Sequence, residues 1–182
     1  MKGKCKPFAP KDWPQVVFNA FQILAENNWV PCGTVILGLP GETEEDLDLT
    51  ISLVEKLRPF KSLIVPLFFV AMGGLEGKSK SLTLDDVTPK YAELMMKCWK
   101  HNFAWFDELF KDFSNMSIRS KITQKGLSLV FSYAVNQGMK FINICEKEYD
   151  YDLHALIRDY KNGNLRLGPL PIQLLRAMTK MI

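Results

Sequence analysis

The stretch VILGLPGETEEDL, from Val35 to Leu47, gathers the residue types in this chain best suited to holding a ligand. An apolar run ends at Gly38, a Pro40-Gly41 pair follows, and Thr43 leads into Glu44, Glu45 and Asp46. Leu39-Pro40-Gly41-Glu42 fits a type II turn, with proline second and glycine third, where φ is positive. Gly38 has no Cβ, so something can pack closely against the backbone there. In α/β folds, ligands bind at the carboxyl ends of strands. A helix N-terminus alone invites a phosphate, but Glu42, Glu44, Glu45 and Asp46 together repel one. A ligand here is expected to be neutral or cationic, or to be met by apolar packing. A strand-to-helix turn that binds nothing explains the same residues, and their chemistry leaves both readings open.

Other chemistries find less support. MGGLEGKS, residues 72–79, resembles a phosphate-binding loop, yet Met72 stands where that loop needs its first glycine. Its lysine and serine also precede KSLTLDDVTP rather than an apolar helix. His101 and His154 are the only histidines, and neither has a second ligand type at helical spacing; both read as structural. No serine sits in a Gly-x-Ser-x-Gly elbow. The four cysteines, at positions 5, 32, 98 and 145, form no pair with the short spacing of a zinc knuckle or redox dithiol.

The totals are those of one sizeable domain, or one with an appendage. The chain has 182 residues, of which 47% are hydrophobic and 24% charged. A net charge of +3 gives no basic stripe for nucleic acid, and KGKCK at the N-terminus is too short to make one. The N-terminus has no apolar core of a signal peptide, so the cysteines read as reduced thiols of a cytoplasmic protein. The most apolar run, Leu63 to Leu75, is interrupted by Pro66 and falls short of the about 20 residues that span a bilayer.

The elements that would position the turn follow from spacing. Asp12 to Asn28 reads as a helix, with Asp12 as cap and Val16, Val17, Ala20, Ile23 and Leu24 on its inner face. Thr34 to Leu37 and Ser62 to Val70 read as strands buried on both faces. Between them Thr43 caps a helix with Leu47, Thr50, Ile51, Val54 and Leu57 inward. This rhythm makes the strands parallel neighbours. Residues 73–86 read as a loop. A helix from Pro89 to about residue 113 carries Trp99, Phe103, Phe106, Phe110 and Phe113 as a core stripe. Ile122 to Asn136, Tyr149 to Tyr160 and a last amphipathic segment with Leu174, Leu175, Met178 and Ile182 read as further helices.

GTVILGLPGETEEDLDLTISLVEKL resembles the fifth strand and following helix of the radical S-adenosylmethionine enzymes, where a Gly-[Leu/Phe]-Pro-Gly-Glu-Thr turn is widespread. The flanking PFAPKDWPQVVFNAFQILAENNWVP and SLIVPLFFVAMGGL are similar to the subgroup with an N-terminal cobalamin-binding domain. DVTP followed by CWKHN resembles the helical C-terminal extension of archaeal members. The likeness covers residues 1 to roughly 110.

The resemblance implies an α/β fold: the C-terminal part of a partial (βα)6 barrel, residues 1–80, followed by a helical extension, residues 81–182. It also implies S-adenosylmethionine and a [4Fe-4S] cluster in the parent enzyme, with cobalamin a further candidate. The Cys-x-x-x-Cys-x-x-Cys loop that holds such a cluster is absent from this sequence. The chain is therefore expected to be a C-terminal portion whose partner, in cis or in trans, is the missing half of the barrel, or the product of a gene that has lost the rest. Carried over by position, Ile36, Gly38 and Leu39 would line the adenosyl moiety, Phe68, Phe69 and Val70 would flank the adenine, and Glu42 would brace the turn. No residue takes a catalytic or metal-binding role. Both edges of a two-stranded sheet would be open, inviting strand-mediated self-association. The alternatives are a non-catalytic helical interaction module on a barrel remnant, and membrane association through the last helix, flanked by Arg176 and Lys180.

Overall fold

The computed structural model describes residues 7–117 and 120–167. It is an α/β structure, mostly helical, with one sheet of two parallel strands. KGKCK and the last amphipathic segment lie outside the described residues. Among the described residues, no helix is long and apolar enough to cross a membrane.

Helix α1 spans Trp13–Glu26, with Pro14 in its first turn, where a missing N–H costs nothing. Asp12 stands at the N-cap but makes no side-chain cap hydrogen bond. Asn28, at φ 60°, ends the helix by turning left-handed, a conformation asparagine tolerates. The buried face differs from the one expected. Phe21, with Val17 and Phe18, packs inward, whereas Ile23 and Leu24 face solvent. α1 carries apolar residues on two faces, and the aromatic one wins the core.

Strand β1, Cys32–Leu37, pairs in parallel with β2, Leu63–Phe68, in the register Cys32 to Leu63 through Leu37 to Phe68. Helix α2, Glu44–Lys56, connects them. Thr43 and Asp46 form a capping box: Thr43 Oγ1 accepts from the Asp46 N–H at 3.2 Å, and Asp46 Oδ2 accepts from the Thr43 N–H at 3.0 Å. Leu47, Val54 and Leu57 are buried as the spacing requires.

Among the described residues, only one face of the sheet is covered. Leu37 and Ile64 pack with Phe21, Leu47, Val54 and Leu57 beneath the helices. Thr34, Ile36, Val65 and Leu67 occupy the other face and remain exposed. The expectation of strands buried on both faces is corrected here. The aliphatic composition suits two-sided burial, but the described residues supply one cover.

Helix α3, Pro89–Ala104, joins the sheet to the remaining helices. Leu94 and Cys98 face the sheet-side core, while Ala92 and Met96 face a second core with Phe141, Ile142, Cys145, Leu153 and Leu156. The long aromatic helix is in fact two. α3 breaks at Trp105, whose indole Nε1–H donates to the Arg58 carbonyl at 3.0 Å, and α4 follows at Phe106–Ser117. The expected stripe therefore does not form one core. Phe106 and Phe110 gather around Phe131, while Phe113 is exposed. α5, Lys121–Tyr149, runs well past the end expected at Asn136 and stops at Asp150 and Tyr151, both with positive φ. α6, Leu153–Lys161, is capped by Asp152. α5 crosses α3 closely at Gly138, where a Cβ would stand 2.6 Å from the Phe103 ring.

His101 of α3 is buried against Ser62. Ser62 Oγ donates to the Phe60 carbonyl at 3.0 Å, so it accepts from His101 Nε2–H at 2.7 Å. Nδ1 is buried without a partner. Burial holds this imidazole below its ordinary pKa of 6.5. The unfolded chain takes up a proton as pH falls through that value, and the folded chain resists doing so. Stability is therefore full above pH 6.5 and declines below it, by at most about 1.4 kcal/mol per pH unit. The urea midpoint is expected to fall between pH 7.5 and 5.5 in the native chain, and to fall less steeply in His101→Gln.

Candidate functional site

The turn between β1 and α2 takes the expected form. Gly38 and Gly41 adopt φ of 79° and 81°, and the Glu42 N–H bonds the Leu39 carbonyl at 3.0 Å, closing the turn. Glu42 braces it from within: its Oε2 accepts the Gly38 N–H at 2.8 Å. Burial first, and then the Glu42 carboxylate, push the Tyr91 phenol of α3 up to about 12. The Glu42 side chain thus ties the turn back to the end of β1. Glu44, Glu45 and Asp46 stand in the first turn of α2, where they complement the helix dipole.

The close approach expected at Gly38 exists, but its occupant belongs to the chain. A Cβ on Gly38 would lie 2.7 Å from Leu82 Cβ and 3.0 Å from Leu82 Cδ2. Leu82 arrives there because the loop after β2 folds back. Its N–H donates to the Phe69 carbonyl at 3.0 Å, and Ser81 Oγ accepts the Ala71 N–H at 2.9 Å. Farther along the loop, Lys80 pairs with Asp86, which also accepts from Thr83. Gly73–Leu75 forms a single 3-10 turn, and Lys78 and Ser79 begin no helix.

The positions named from the sequence divide between two faces. Ile36, 44% exposed, lies on the uncovered face, and Leu39 is exposed in the turn above it. Val70, 56% exposed, stands just beyond the end of β2. Phe68 faces the other way, packed among the helices of both cores. Phe69 is partly buried, and its backbone is committed: its N–H goes to the Leu37 carbonyl at 2.8 Å and its carbonyl to Leu82. The neighbour of Ile36 across the ladder is Leu67, also 44% exposed, which sequence reading passed over. The period of two along β2 carried the signal, because any residue in register with Ile36 shares its face.

The result is a shallow apolar surface made by Ile36, Leu67, Leu39 and Val70, at the carboxyl end of two parallel strands. None of these four residues is basic, and the turn that carries Leu39 leads into the three carboxylates that open α2. Such a surface accepts an aromatic or aliphatic body and tolerates positive charge better than phosphate.

The three described cysteines do not come together as ligands of an iron–sulfur cluster. Cys32 is exposed on the sheet, whereas Cys98 and Cys145 lie in different cores, and burial raises each of these two thiols to about 12. Among the described residues, no three His, Cys, Asp or Glu side chains converge to hold a metal ion. Compared with known proteins, the chain matches no family model, no curated protein and no solved structure.

Gly38→Ala is expected to cost about 2–3 kcal/mol, from the left-handed backbone and the Leu82 clash together. Chemical denaturation of both single variants and the double variant checks this. With Leu82→Gly the losses are expected to be less than additive, by about 1 kcal/mol, because the clash is shared.

Proposed function

We propose that this chain forms one wall of an S-adenosylmethionine site in a radical S-adenosylmethionine enzyme of the type with a cobalamin-binding domain. On this reading it is the C-terminal portion of a partial (βα)6 barrel with a helical extension. The remaining strands and the [4Fe-4S] cluster come from sequence outside it. The observation that carries the proposal is the in-register pair Ile36 and Leu67, uncovered at the carboxyl end of the strands beside the Gly38–Glu42 turn. A sulfonium nucleoside is cationic, flat at one end and free of phosphate, which suits an apolar surface beside a turn that leads into three carboxylates.

Within this reading Ile36, Leu39 and Leu67 pack against the adenosyl group, and Val70 borders it. Gly38 and Glu42 hold the turn in place and do not touch the ligand. Phe68 and Phe69 support the wall from behind. The chemistry supplied by the cluster, reductive cleavage of S-adenosylmethionine to a carbon radical, belongs to the absent part. The unpaired thiols of Cys32, Cys98 and Cys145 agree with a reducing, cytoplasmic setting.

A second reading, a helical protein-interaction module, draws on a different surface. Ile122, Leu129 and Val130 of α5 are 86%, 74% and 64% exposed, an apolar stripe that a partner helix would cover. That reading needs no cofactor.

Amide chemical shifts of the isotope-labelled chain, titrated with S-adenosylmethionine and separately with ATP, decide between them. S-adenosylmethionine is expected to shift Ile36, Leu39 and Val70, with a Kd of order 1 mM because one wall alone is present. Ile36→Lys is expected to abolish the shifts. Perturbation by ATP instead, or none by either ligand, would contradict the proposal.

A further inference from the structure

The two edges of the sheet are not equivalent. Leu63 N–H bonds the Pro31 carbonyl at 3.0 Å, and Phe69 N–H bonds the Leu37 carbonyl at 2.8 Å. In a parallel ladder the bonding groups alternate along each strand. Residues 63, 65 and 67 therefore face β1, and Ile64, Pro66 and Phe68 point their backbone groups outward. On β1 the outward set is Cys32, Thr34 and Ile36.

The outer edge of β2 is closed. Asn102 of α3 lays its carboxamide along Ile64, with Oδ1 accepting the Ile64 N–H at 2.8 Å and Nδ2 donating to the Ile64 carbonyl at 2.8 Å. Pro66, next in the outward set, has no N–H to offer. A side chain and a proline thus take the place of a neighbouring strand. The expectation of two open edges is corrected on this side.

The outer edge of β1 has no such device. It carries no proline, lysine or carboxylate, and among the described residues no segment outside the sheet bonds to Cys32, Thr34 or Ile36. Open edges of this kind are templates for another strand.

The helices say which way that strand runs. α1 and α2 lie on the same face, since Phe21, Leu47 and Val54 share one core with Leu37 and Ile64. α1 turns back into β1 through residues 27–31, and Phe21 lies over Gly33, 3.2 Å from where its Cβ would be. This is the arrangement of α2 entering β2. Crossovers of one hand with helices on one face advance the sheet in one direction. A strand feeding α1 therefore lies on the side of β1 away from β2, parallel to it, on the open edge.

We infer that the β1 edge receives a parallel β-strand with aliphatic or β-branched residues at alternate positions, and that β2 is the terminal strand of the completed sheet. A second copy of the chain is a poorer occupant. Two-fold pairing of β1 with itself is antiparallel, and it doubles the uncovered Ile36, Val65 and Leu67 surface instead of shielding it. The inference shares the incomplete sheet with the cofactor proposal but does not depend on S-adenosylmethionine.

Cys32 reports on orientation, because its thiol is exposed at the amino end of the open edge while Cys98 and Cys145 are buried. The full chain carrying Cys5→Ser is treated with an alternating Val-Thr heptapeptide bearing a bromoacetyl group at its amino end. A second peptide carries the group at its carboxyl end. Labelling of Cys32 is expected to be at least about tenfold faster with the amino-terminal reagent. Thr34→Pro, which removes an outward N–H without touching the β1–β2 ladder, is expected to erase the difference. N-methylation of the peptide amides that face β1 is expected to do the same on the unaltered edge. Equal rates, or faster labelling from the carboxyl-terminal reagent, overturn the inference, whatever the outcome with S-adenosylmethionine.

Discussion

The side chain of Asn102 on the backbone of Ile64 is the contact on which the rest depends. Two parallel strands make a weak sheet, because each leaves half its backbone groups to water. Asn102 satisfies the outward N–H and carbonyl of Ile64 with two bonds of 2.8 Å, and so anchors α3 to β2. His101, the preceding residue, reaches Ser62 two positions before Ile64. The same helix then presents Leu94 and Cys98 to the sheet and Ala92 and Met96 to the second core. One helix thus closes an edge, covers a face and joins two cores. Its register against β2 fixes where the remaining helices can pack.

Among the described residues, nothing covers the opposite edge and face of the sheet, and the candidate site lies there. Glu42 accepts the Gly38 N–H, so the turn is tied back to the end of β1. Leu82 fills the space that the missing Gly38 side chain leaves. What stays open is the row from Ile36 and Leu67 to Leu39 and Val70. A wall built this firmly and left uncovered is the structural case for a partner that completes the sheet. The α5 stripe is a separate exposed surface and does not share these ties.

The local grammar of the chain was legible where short-range rules decide. Thr43 with three carboxylates behind it announced a capped helix, Pro40-Gly41 a turn with positive φ, and the β-branched runs two parallel strands; all are present. Long-range choices were not legible. Spacing along α1 showed an apolar face at Val16, Ala20 and Ile23, but which face is buried depended on Phe21 finding the sheet. The aromatic stripe from Trp99 to Phe113 looked continuous because nothing nearby signals that Trp105 leaves the helix for the Arg58 carbonyl, 47 positions away. At the candidate site, Ile36, Leu39 and Glu42 were named from the resemblance of the segment that carries them, not from spacing. Leu67 required the register between strands, and Asn102 required the tertiary fold.

Amide hydrogen exchange on the isolated chain tests most directly the claim that the sheet has one finished and one unfinished edge. The Ile64 amide, held by Asn102, is expected to exchange about a hundredfold more slowly than those of Thr34 and Ile36, and Asn102→Ala is expected to abolish that difference. Equal protection of the two edges, or slower exchange at Thr34 and Ile36, would contradict the account, because β1 would then have no place for a further strand.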